Sequence, residues 1–282
     1  MVESTIFGLV PVQSNVETRT TKLSIERCSD KMSGHSKWST IKHKKAATDA
    51  KRGKLFTKLS KEIIVAAKQG GGDADMNFRL RMAIQIAKDA NMPADNIDRA
   101  VKRGTGEGSD GDTMSEITYE GYGPGGVGIM LETLTDNKNR TVSDIRSTFS
   151  KAGGNMAESG AVAWQFQQKG VIVIDVDEDK AEDLAMIAID AGAEDFETYD
   201  GTLHVYSIPT SLMDIRSSLS DNNAAIASTE LSMIPSNTIM LESGKAVQTL
   251  RLLDTLEDLD DVQKVYSNAD FPEDALESFQ SG

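Results

Sequence analysis

The sequence predicts an α+β protein in which an N-terminal all-helical domain is followed by two ferredoxin-like α+β domains, one inserted in the other. Three observations support this fold class. Apolar residues recur with a helical period between residues 41 and 103. Beyond residue 114 the pattern changes to short strand-like stretches separated by turn residues. Residues 171–234 then follow the order βαββαβ, which is the ferredoxin-like order.

Length and composition agree with several globular domains. The chain has 282 residues, whereas one typical domain needs roughly 100–150. Hydrophobic residues make up 39% and charged residues 26%, which is ordinary for a globular protein. The one cysteine, Cys28, excludes an internal disulfide. No apolar run reaches the roughly 18–20 residues of a membrane span, so we expect no membrane partner.

Charge is distributed very unevenly along the chain. The formal net charge is −14 overall, but residues 34–103 carry +9 and residues 104–282 carry −23. Within residues 34–68 there are ten lysines and arginines and only two acids, Asp49 and Glu62. Clustered cations are the usual electrostatic mark of a surface that binds nucleic acid. The alternative, a merely solvated charged face, is less favoured for a segment this lopsided.

The helical domain should contain four short helices. We predict a helix over 42–52, a break at Gly53, and an amphipathic helix over 54–68 with lysines on one face and apolar residues on the other. Three glycines at 70–72 end that helix, and Asp75 or Asn77 caps the next one, over 78–91. Pro93 suits the first turn of the last helix, and 104–109 reads as a linker.

The remaining elements form the two α+β domains. Strands are predicted over 114–122, 127–135, 162–167, 171–176, 196–198, 203–207, 229–234, 238–241 and 261–267. Helices are predicted over 140–151, 180–191, 211–222 and 245–257. The predicted domains are therefore 32–104 (helical and basic), 112–168 plus 235–275 (α+β), and 169–234 (the inserted ferredoxin-like domain).

Residues 1–31 show no sustained periodicity and no secretory signal. We interpret them as a disordered extension or as residues upstream of a start at Met32. Four acidic residues argue against an organellar transit peptide, which stays the less favoured alternative. The expected location is cytoplasmic.

Two motifs could indicate an enzyme. Residues 121–126 match G-x-G-x-x-G, but a dinucleotide site needs a helix after the loop, and here a strand is predicted, with Pro124 in the turn. We interpret the loop as a hairpin turn and keep a phosphate-binding enzyme as a remote alternative. The acidic run 257–261 could hold catalytic carboxylates, but a solvated turn is the preferred interpretation. We predict no catalytic residue and no cofactor.

No metal site is predicted either. His35 and His43 lie among lysines, without an acid or thiol at metal-ligand spacing.

The candidate nucleic-acid contacts are the cations of the basic segment with two neighbouring side chains. They are His35, Lys37, Trp38, Lys42, Lys44, Lys45, Lys51, Arg52, Lys54, Lys58, Lys61 and Lys68. Trp38 could stack on bases or pack in the core, and neither is preferred strongly. For Phe56, on the apolar side of its helix, packing is favoured.

Residues 34–38, GHSKW, and the basic run to residue 59 resemble the opening of the YebC/PmpR family. Further matching motifs are GGGD at 70–73, YEGYGPGG at 119–126, TDNKNRT at 135–141, SKAGG at 150–154, MIP at 233–235 and LEDLDDV at 256–262. Together they span 32–270. The departures are minor, at Gln168 and Lys169 and in the N-terminal extension.

This resemblance implies three domains and no enzymatic activity. It also implies two possible processes, because bacterial members are described as DNA-binding transcriptional regulators, whereas a mitochondrial translational activator and others associate with ribosomes, where relief of proline-rich stalling has been proposed. We therefore expect a non-enzymatic regulator of gene expression that binds DNA. The alternatives are a translation factor that binds ribosomal RNA and an acidic scaffold that acts through proteins. The oligomeric state is not predicted.

Overall fold

The computed structural model of the protein describes residues 37, 38, 40, 49–106 and 114–281, without the side chains of residues 49–52, 178 and 281. Predictions for residues 1–31 and for the helix over 42–48 lie outside this part of the chain. From residue 49 onward, the N-terminal module comprises the helices α1 (Asp49–Gly70), α2 (Phe78–Asp89) and α3 (Ala94–Gly104). Their shared core contains Leu59, Ile63, Ala66, Leu80, Ala83, Ile97 and Ala100, with Phe56 packed against it as predicted.

Helix α1 runs through Gly53 without interruption, so the predicted break there is wrong. A glycine inside a helix costs only about 1 kcal/mol relative to alanine. Burial of the apolar face of the same helix outweighs that cost, since Ile63 and Ala66 are completely buried.

The junction between α1 and α2 is fixed by Asn77. Its side chain accepts a hydrogen bond from the Leu80 backbone N–H at 3.1 Å and donates to the carbonyls of Ala66 and Gly71, both at 2.8 Å. One buried amide therefore caps α2 and satisfies carbonyls at the end of α1. Of the two predicted caps, Asn77 is the one that the structure shows.

The first α+β domain has a four-stranded antiparallel sheet. Its elements are β1 (Ser115–Tyr122), β2 (Gly128–Thr135), α4 (Lys138–Lys151) and β3 (Asn155–Ala157), and later α7 (Ser243–Glu257) and β9 (Val262–Ser267). The strand order is β3-β1-β2-β9, with Ile129 of β2 opposite Ser267 of β9. One face of the sheet packs on α4 and α7 around Leu131, Ile145 and Leu250. A final helix, α8 (Glu273–Ser281), was not predicted.

The inserted domain lies between β3 and α7 in the chain. It comprises β4 (Phe166–Asp175), α5 (Glu178–Asp190), β5 (Asp195–Tyr199), β6 (Thr202–Ser207), α6 (Leu212–Asp221) and β7 (Ala225–Pro235). The antiparallel order β5-β6-β4-β7 is the ferredoxin-like arrangement, which confirms the predicted fold class. The first α+β domain also has an antiparallel sheet packed against helices. Its strands, however, follow one another along the chain in a different order.

Strand β4 joins two segments that were predicted as separate strands, and a 3₁₀ turn at Ala163–Gln165 precedes it. The strand continues through Gly170, where a Cβ atom would lie 2.5 Å from Ser207 Oγ. Glycine therefore permits β6 and α6 to approach β4 closely instead of ending the strand. A short parallel pair, β8 (Ile239–Met240) with β10 (Ala269–Asp270), follows the return to the first domain.

The helical module contacts both α+β domains. Arg79 of α2 donates to Glu62 of α1 at 2.8 Å and also pairs with Glu116 of β1. Asp89 at the end of α2 pairs with Arg216 of α6 at 3.0 Å, and both side chains are largely buried. These pairs hold the module so that the lysine-bearing face of α1 lies against the first α+β domain.

Candidate nucleic-acid interface

A cleft of about 1160 Å³ lies between α1, α3, the start of α4 and the turn that follows α7. Its cationic lining consists of Lys54, Lys58, Lys61, Lys68, Arg103 and Arg140. Its acidic lining consists of Asp136, Asp144, Asp258, Asp260 and Asp261. The cleft therefore contains four of the lysines that were predicted to contact nucleic acid, together with acids that the sequence did not place near them.

The helical period places these lysines on one face of α1. Residues 54, 58, 61 and 68 recur every three, four or seven positions, and the opposite face carries the buried Leu59, Ile63 and Ala66. Burial of that apolar face fixes the rotation of α1 about its axis. The lysines consequently line the cleft.

Three of the lysines contact the turn after α7. Lys58 Nζ donates to the Glu257 carbonyl at 2.5 Å, Lys54 Nζ to the Asp258 carbonyl at 3.3 Å, and Lys61 Nζ to the Asp260 carbonyl at 2.9 Å. Glu257 is the last residue of α7, where unpaired carbonyls and the helix dipole present negative charge. Lysine ammonium groups thus complement the end of a helix from another domain.

We refer to Glu257, Asp258, Leu259, Asp260 and Asp261 as the acidic turn. It was predicted to be solvated, and that prediction is wrong for Asp261, which is only 8% exposed. Asp258 and Asp260 are exposed. The turn therefore has an outer part, open to water, and an inner part that is buried.

Asp261 fixes the buried, inner part of the acidic turn, and we call this residue the inner anchor. Its Oδ1 accepts from Lys61 Nζ at 3.1 Å, and its Oδ2 accepts from Arg140 at 2.8 Å, Thr141 at 2.9 Å and Thr135 at 3.2 Å. Burial alone would raise the pKa of Asp261, but the hydrogen bonds from Arg140, Thr141 and Lys61 lower it overall. The carboxylate therefore stays ionised and connects α1, β2 and α4.

Sequence reasoning missed Arg140, Thr141 and Asp261 as members of this site. The signal was present, because TDNKNRT at 135–141 and LEDLDDV at 256–262 were both recognised as motifs. Their meeting in space could not be inferred from their positions, which are 120 residues apart for Thr141 and Asp261.

Two predicted contact residues are packed inside the protein. Trp38 is 7% exposed and lies in the core of the first α+β domain, 6.0 Å from the Phe279 ring centre. Lys37 Nζ lies 3.4 Å from Asp270 and donates to the Phe271 carbonyl at 3.2 Å. Packing is therefore the alternative that the structure shows for Trp38, and both residues leave the set of candidate phosphate contacts.

The other predicted contacts fall into two groups. His35, Lys42, Lys44 and Lys45 lie outside the described residues, and only the helical backbone is described for Lys51 and Arg52. Lys68 is exposed at the edge of the cleft and makes no hydrogen bond or ion pair with the residues that the structure describes. It is available to an external anion.

The glycine-rich loop at residues 121–126 is a hairpin turn, as predicted. Gly123 N–H donates to the Val127 carbonyl at 2.9 Å, and the chain continues into β2, not into a helix. A Cβ atom on Gly121 would lie 2.7 Å from the Phe149 ring, so this glycine serves close packing. The enzyme alternative required a helix N-terminus directly behind the loop, and strand β2 occupies that position instead.

Glu120, which directly precedes this loop, has a structural role. The residue is 3% exposed, and its carboxylate accepts hydrogen bonds from the backbone N–H groups of Gly160 and Val162, both at 2.6 Å, and of Ala163 at 2.9 Å. Burial would raise the pKa of Glu120, but these three donors lower it overall. The side chain holds the loop before β4 against β1.

Within the described part of the chain, no three His, Cys, Asp or Glu side chains are arranged to hold a metal ion. None of the described helices has the length and apolar character needed to cross a membrane.

Comparison with known proteins identifies the family. Residues 36–107 match the model of the TACO1/YebC protein N-terminal domain, and residues 114–269 match that of the TACO1/YebC second and third domain. A "Probable transcriptional regulatory protein" of Dehalococcoides mccartyi is 54% identical over 89% of this chain and 99% of its own length. A protein of the same description from Natranaerobius thermophilus is 52% identical over 88% of this chain and its full length.

A solved structure shares the fold. The crystal structure of a conserved hypothetical protein from Aquifex aeolicus has a TM-score of 0.77 and 43% identity, covering 84% of this chain and 97% of that one. With two family models spanning most of the sequence and relatives above 50% identity, the chain belongs to the TACO1/YebC family.

Proposed function

We propose that this protein is a DNA-binding regulator of transcription that contacts phosphates through the cleft face of its helical module. The observation that carries the proposal is the lysine face of α1, whose opposite, buried face fixes it toward the cleft. The descriptions of the bacterial relatives as probable transcriptional regulatory proteins support it from a second direction.

Electrostatics supports this location over any other part of the chain. Residues 34–103 carry +9, whereas residues 104–282 carry −23, so a polyanion is attracted to the helical module and repelled by the α+β domains. Lys54 and Lys68 are exposed at the cleft, and Lys58 is half-buried beside them. Such flexible ammonium groups suit phosphate oxygens as point charges.

The same residues argue for modest sequence specificity. Phosphate contacts fix a protein on the duplex but carry no sequence information. Base readout usually requires Arg, Asn or Gln side chains that reach base edges in the major groove. The cleft face of α1 presents lysines instead, at 54, 58, 61 and 68. We therefore propose binding that is governed mainly by charge and by the shape of the nucleic acid.

The proposal is tested by a matched pair of triple variants of the full chain. The first, Lys54→Gln/Lys58→Gln/Lys68→Gln, removes cleft cations but leaves Lys61 and its buried partner in place. The second, Lys151→Gln/Lys180→Gln/Lys245→Gln, removes the same charge at exposed positions outside the cleft lining. Binding to a labelled DNA duplex and to a labelled ribosomal RNA fragment is measured by fluorescence anisotropy at salt concentrations from well below to about twice the physiological value, and thermal melts verify folding.

We expect the cleft variant to bind duplex roughly 10–100-fold more weakly at physiological salt, with a salt slope about 0.9 shallower for each phosphate that the variant no longer neutralises. The control variant should change affinity less than about threefold, because screening limits charge effects beyond ~8 Å. Equal losses in the two variants would contradict the assignment to the cleft. Binding of a ribosomal RNA fragment without duplex binding would favour the translation alternative. No binding to either probe would favour a scaffold that acts through proteins.

A further inference from the structure

We infer that the acidic turn occupies the lysine face of α1 as an internal mimic of a phosphate backbone, and that nucleic acid binds by replacing its outer carboxylates. This inference rests on the proposed function and adds a regulatory contact to the same site. This contact would make the affinity for a polyanion depend on acidic residues near the C-terminal end of the chain.

The contacts of the acidic turn resemble those expected of a nucleic-acid strand. Three successive lysines of the α1 face meet three carbonyl oxygens at 2.5–3.3 Å, and two of them also face carboxylates. Phosphate oxygens bind lysine ammonium groups at comparable distances. Because Glu257, Asp258, Asp260 and Asp261 add four negative charges beside these lysines, an incoming phosphate meets a partly neutralised surface.

Exposure divides the acidic turn into a fixed part and an exchangeable part. At the inner end, the Lys61 and Asp261 side chains are 17% and 10% exposed, and Arg140 and Thr141 also hold the carboxylate. At the outer end, Lys54 and Asp258 are about half exposed and their charged atoms are 3.6 Å apart. Exposed pairs of this kind contribute little to stability and are readily replaced.

The exchange therefore concerns Asp258 and Asp260, not Asp261. Phosphates that approach Lys54 and Lys58 from solvent would displace the Asp258 carboxylate from Lys54 and be repelled less once the exposed Asp260 carboxylate is neutralised, while the inner anchor keeps α1 docked. The backbone carbonyl of Asp258 remains a partner for Lys54 in either state. Neutralising the outer acids should consequently tighten nucleic-acid binding without loosening the domain junction.

The test is a double-mutant cycle in the full-length protein. Asp258→Asn/Asp260→Asn neutralises the outer acids, and Asp190→Asn/Asp221→Asn makes the same charge change at exposed positions at the ends of α5 and α6. Each pair is made in the natural sequence and in a Lys54→Gln/Lys58→Gln background. Affinity for the labelled DNA duplex is measured at physiological salt, and melting temperatures verify folding.

We expect Asp258→Asn/Asp260→Asn to bind duplex about 3–10-fold more tightly than the natural protein, and Asp190→Asn/Asp221→Asn to change affinity less than about twofold. In the Lys54→Gln/Lys58→Gln background the gain from the outer acids should shrink to that of the control pair, because Lys54, which pairs with Asp258, and the neighbouring Lys58 are gone.

Four results would overturn the inference. An equal gain in duplex affinity from both acid pairs would show that long-range electrostatics alone causes the gain. A gain of the same size in both lysine backgrounds would show that the outer acids do not act through Lys54 and Lys58. Measurable duplex binding with no gain from the outer acids would overturn the inference while leaving the proposed function intact. If no variant binds duplex, the proposed function fails, and this inference fails with it.

Discussion

Asp261 and Glu132 are two carboxylates influenced by neighbouring residues of α1, and those two residues carry opposite charge. Asp261 Oδ1 lies 3.1 Å from Lys61 Nζ. The negative charge of the next residue, Glu62, instead raises the pKa of Glu132. The pKa of Asp261 is lowered overall despite its burial. The pKa of Glu132 is raised, first by burial and further by Glu62 and Glu230, although Lys264 and the Tyr266 hydroxyl oppose that shift.

The difference shows that one helix can make a favourable and an unfavourable electrostatic interaction at the same domain junction. The attractive contact passes through Lys61 and a carboxylate with four donors. The repulsive contact is moderated because Arg79 pairs with Glu62 at 2.8 Å. We therefore expect the two carboxylates to affect stability with opposite sign.

The largest effect is expected for Asp261→Ala. Removing this carboxylate takes a partner from two cations and two buried threonines, so the free energy of unfolding should fall by about 2–4 kcal/mol. Asp258→Ala, three residues away but exposed, should cost less than about 1 kcal/mol. Chemical denaturation at pH 7 measures both. Similar losses in the two variants would contradict the division into an inner anchor and an outer part.

A smaller effect with a definite pH dependence is expected for Asp261→Asn. Because the folded-state pKa is lowered, the carboxylate contributes stability that is fully present above its unfolded pKa of about 3.9 and is lost as pH falls through the folded value. The stability gap between natural protein and variant should be about 1–3 kcal/mol at pH 7 and should narrow below pH ~4. Denaturation curves at pH 7, 5, 4 and 3 measure this gap; a gap that is constant with pH would contradict the assigned shift.

The smallest effect, with the opposite sign, is expected for Glu132→Gln. A raised pKa means that the folded state disfavours the ionised carboxylate, so stability falls as pH rises above the unfolded pKa of about 4.3. The amide keeps an acceptor for the Tyr266 hydroxyl, which lies 3.2 Å from the Glu132 carboxylate in the natural protein. We expect the variant to be more stable by less than about 1 kcal/mol at pH 7, with the gain vanishing at pH 4. A destabilised variant at pH 7 would show that Lys264 outweighs burial.

Local features of this protein were accessible from sequence because they depend on neighbouring residues. The lysine face of α1, the hairpin at residues 121–126 and the βαββαβ order of the inserted domain all result from period and turn chemistry. Errors arose where tertiary contacts override a local signal. Gly53 lies inside a helix whose apolar face is packed, and Gly170 lies inside a strand that two elements approach closely.

The partner of the lysine face could not be predicted, and the reason is the number of equivalent candidates. Residues 104–282 contain thirty-three acidic residues, and periodicity does not say which of them meet lysines about 200 residues earlier. Treating the acidic turn as solvated was reasonable for Asp258 and Asp260 but not for Asp261. What distinguishes these neighbours is that the Asp261 carboxylate accepts hydrogen bonds from Lys61 of α1 and from Arg140 and Thr141 of α4.

The position of the inserted domain has a consequence for the order of folding. Its first and last strands pair with each other, from Phe166 opposite Pro235 to Asp175 opposite Ala225, so it closes on itself. The sheet of the first domain, in contrast, lacks β9 until residues up to 267 exist, and Gly128 then bonds to Asn268 across 140 residues. During synthesis the inserted domain can therefore fold while β2 still has an unpaired edge, and α1 acquires its docking surface last.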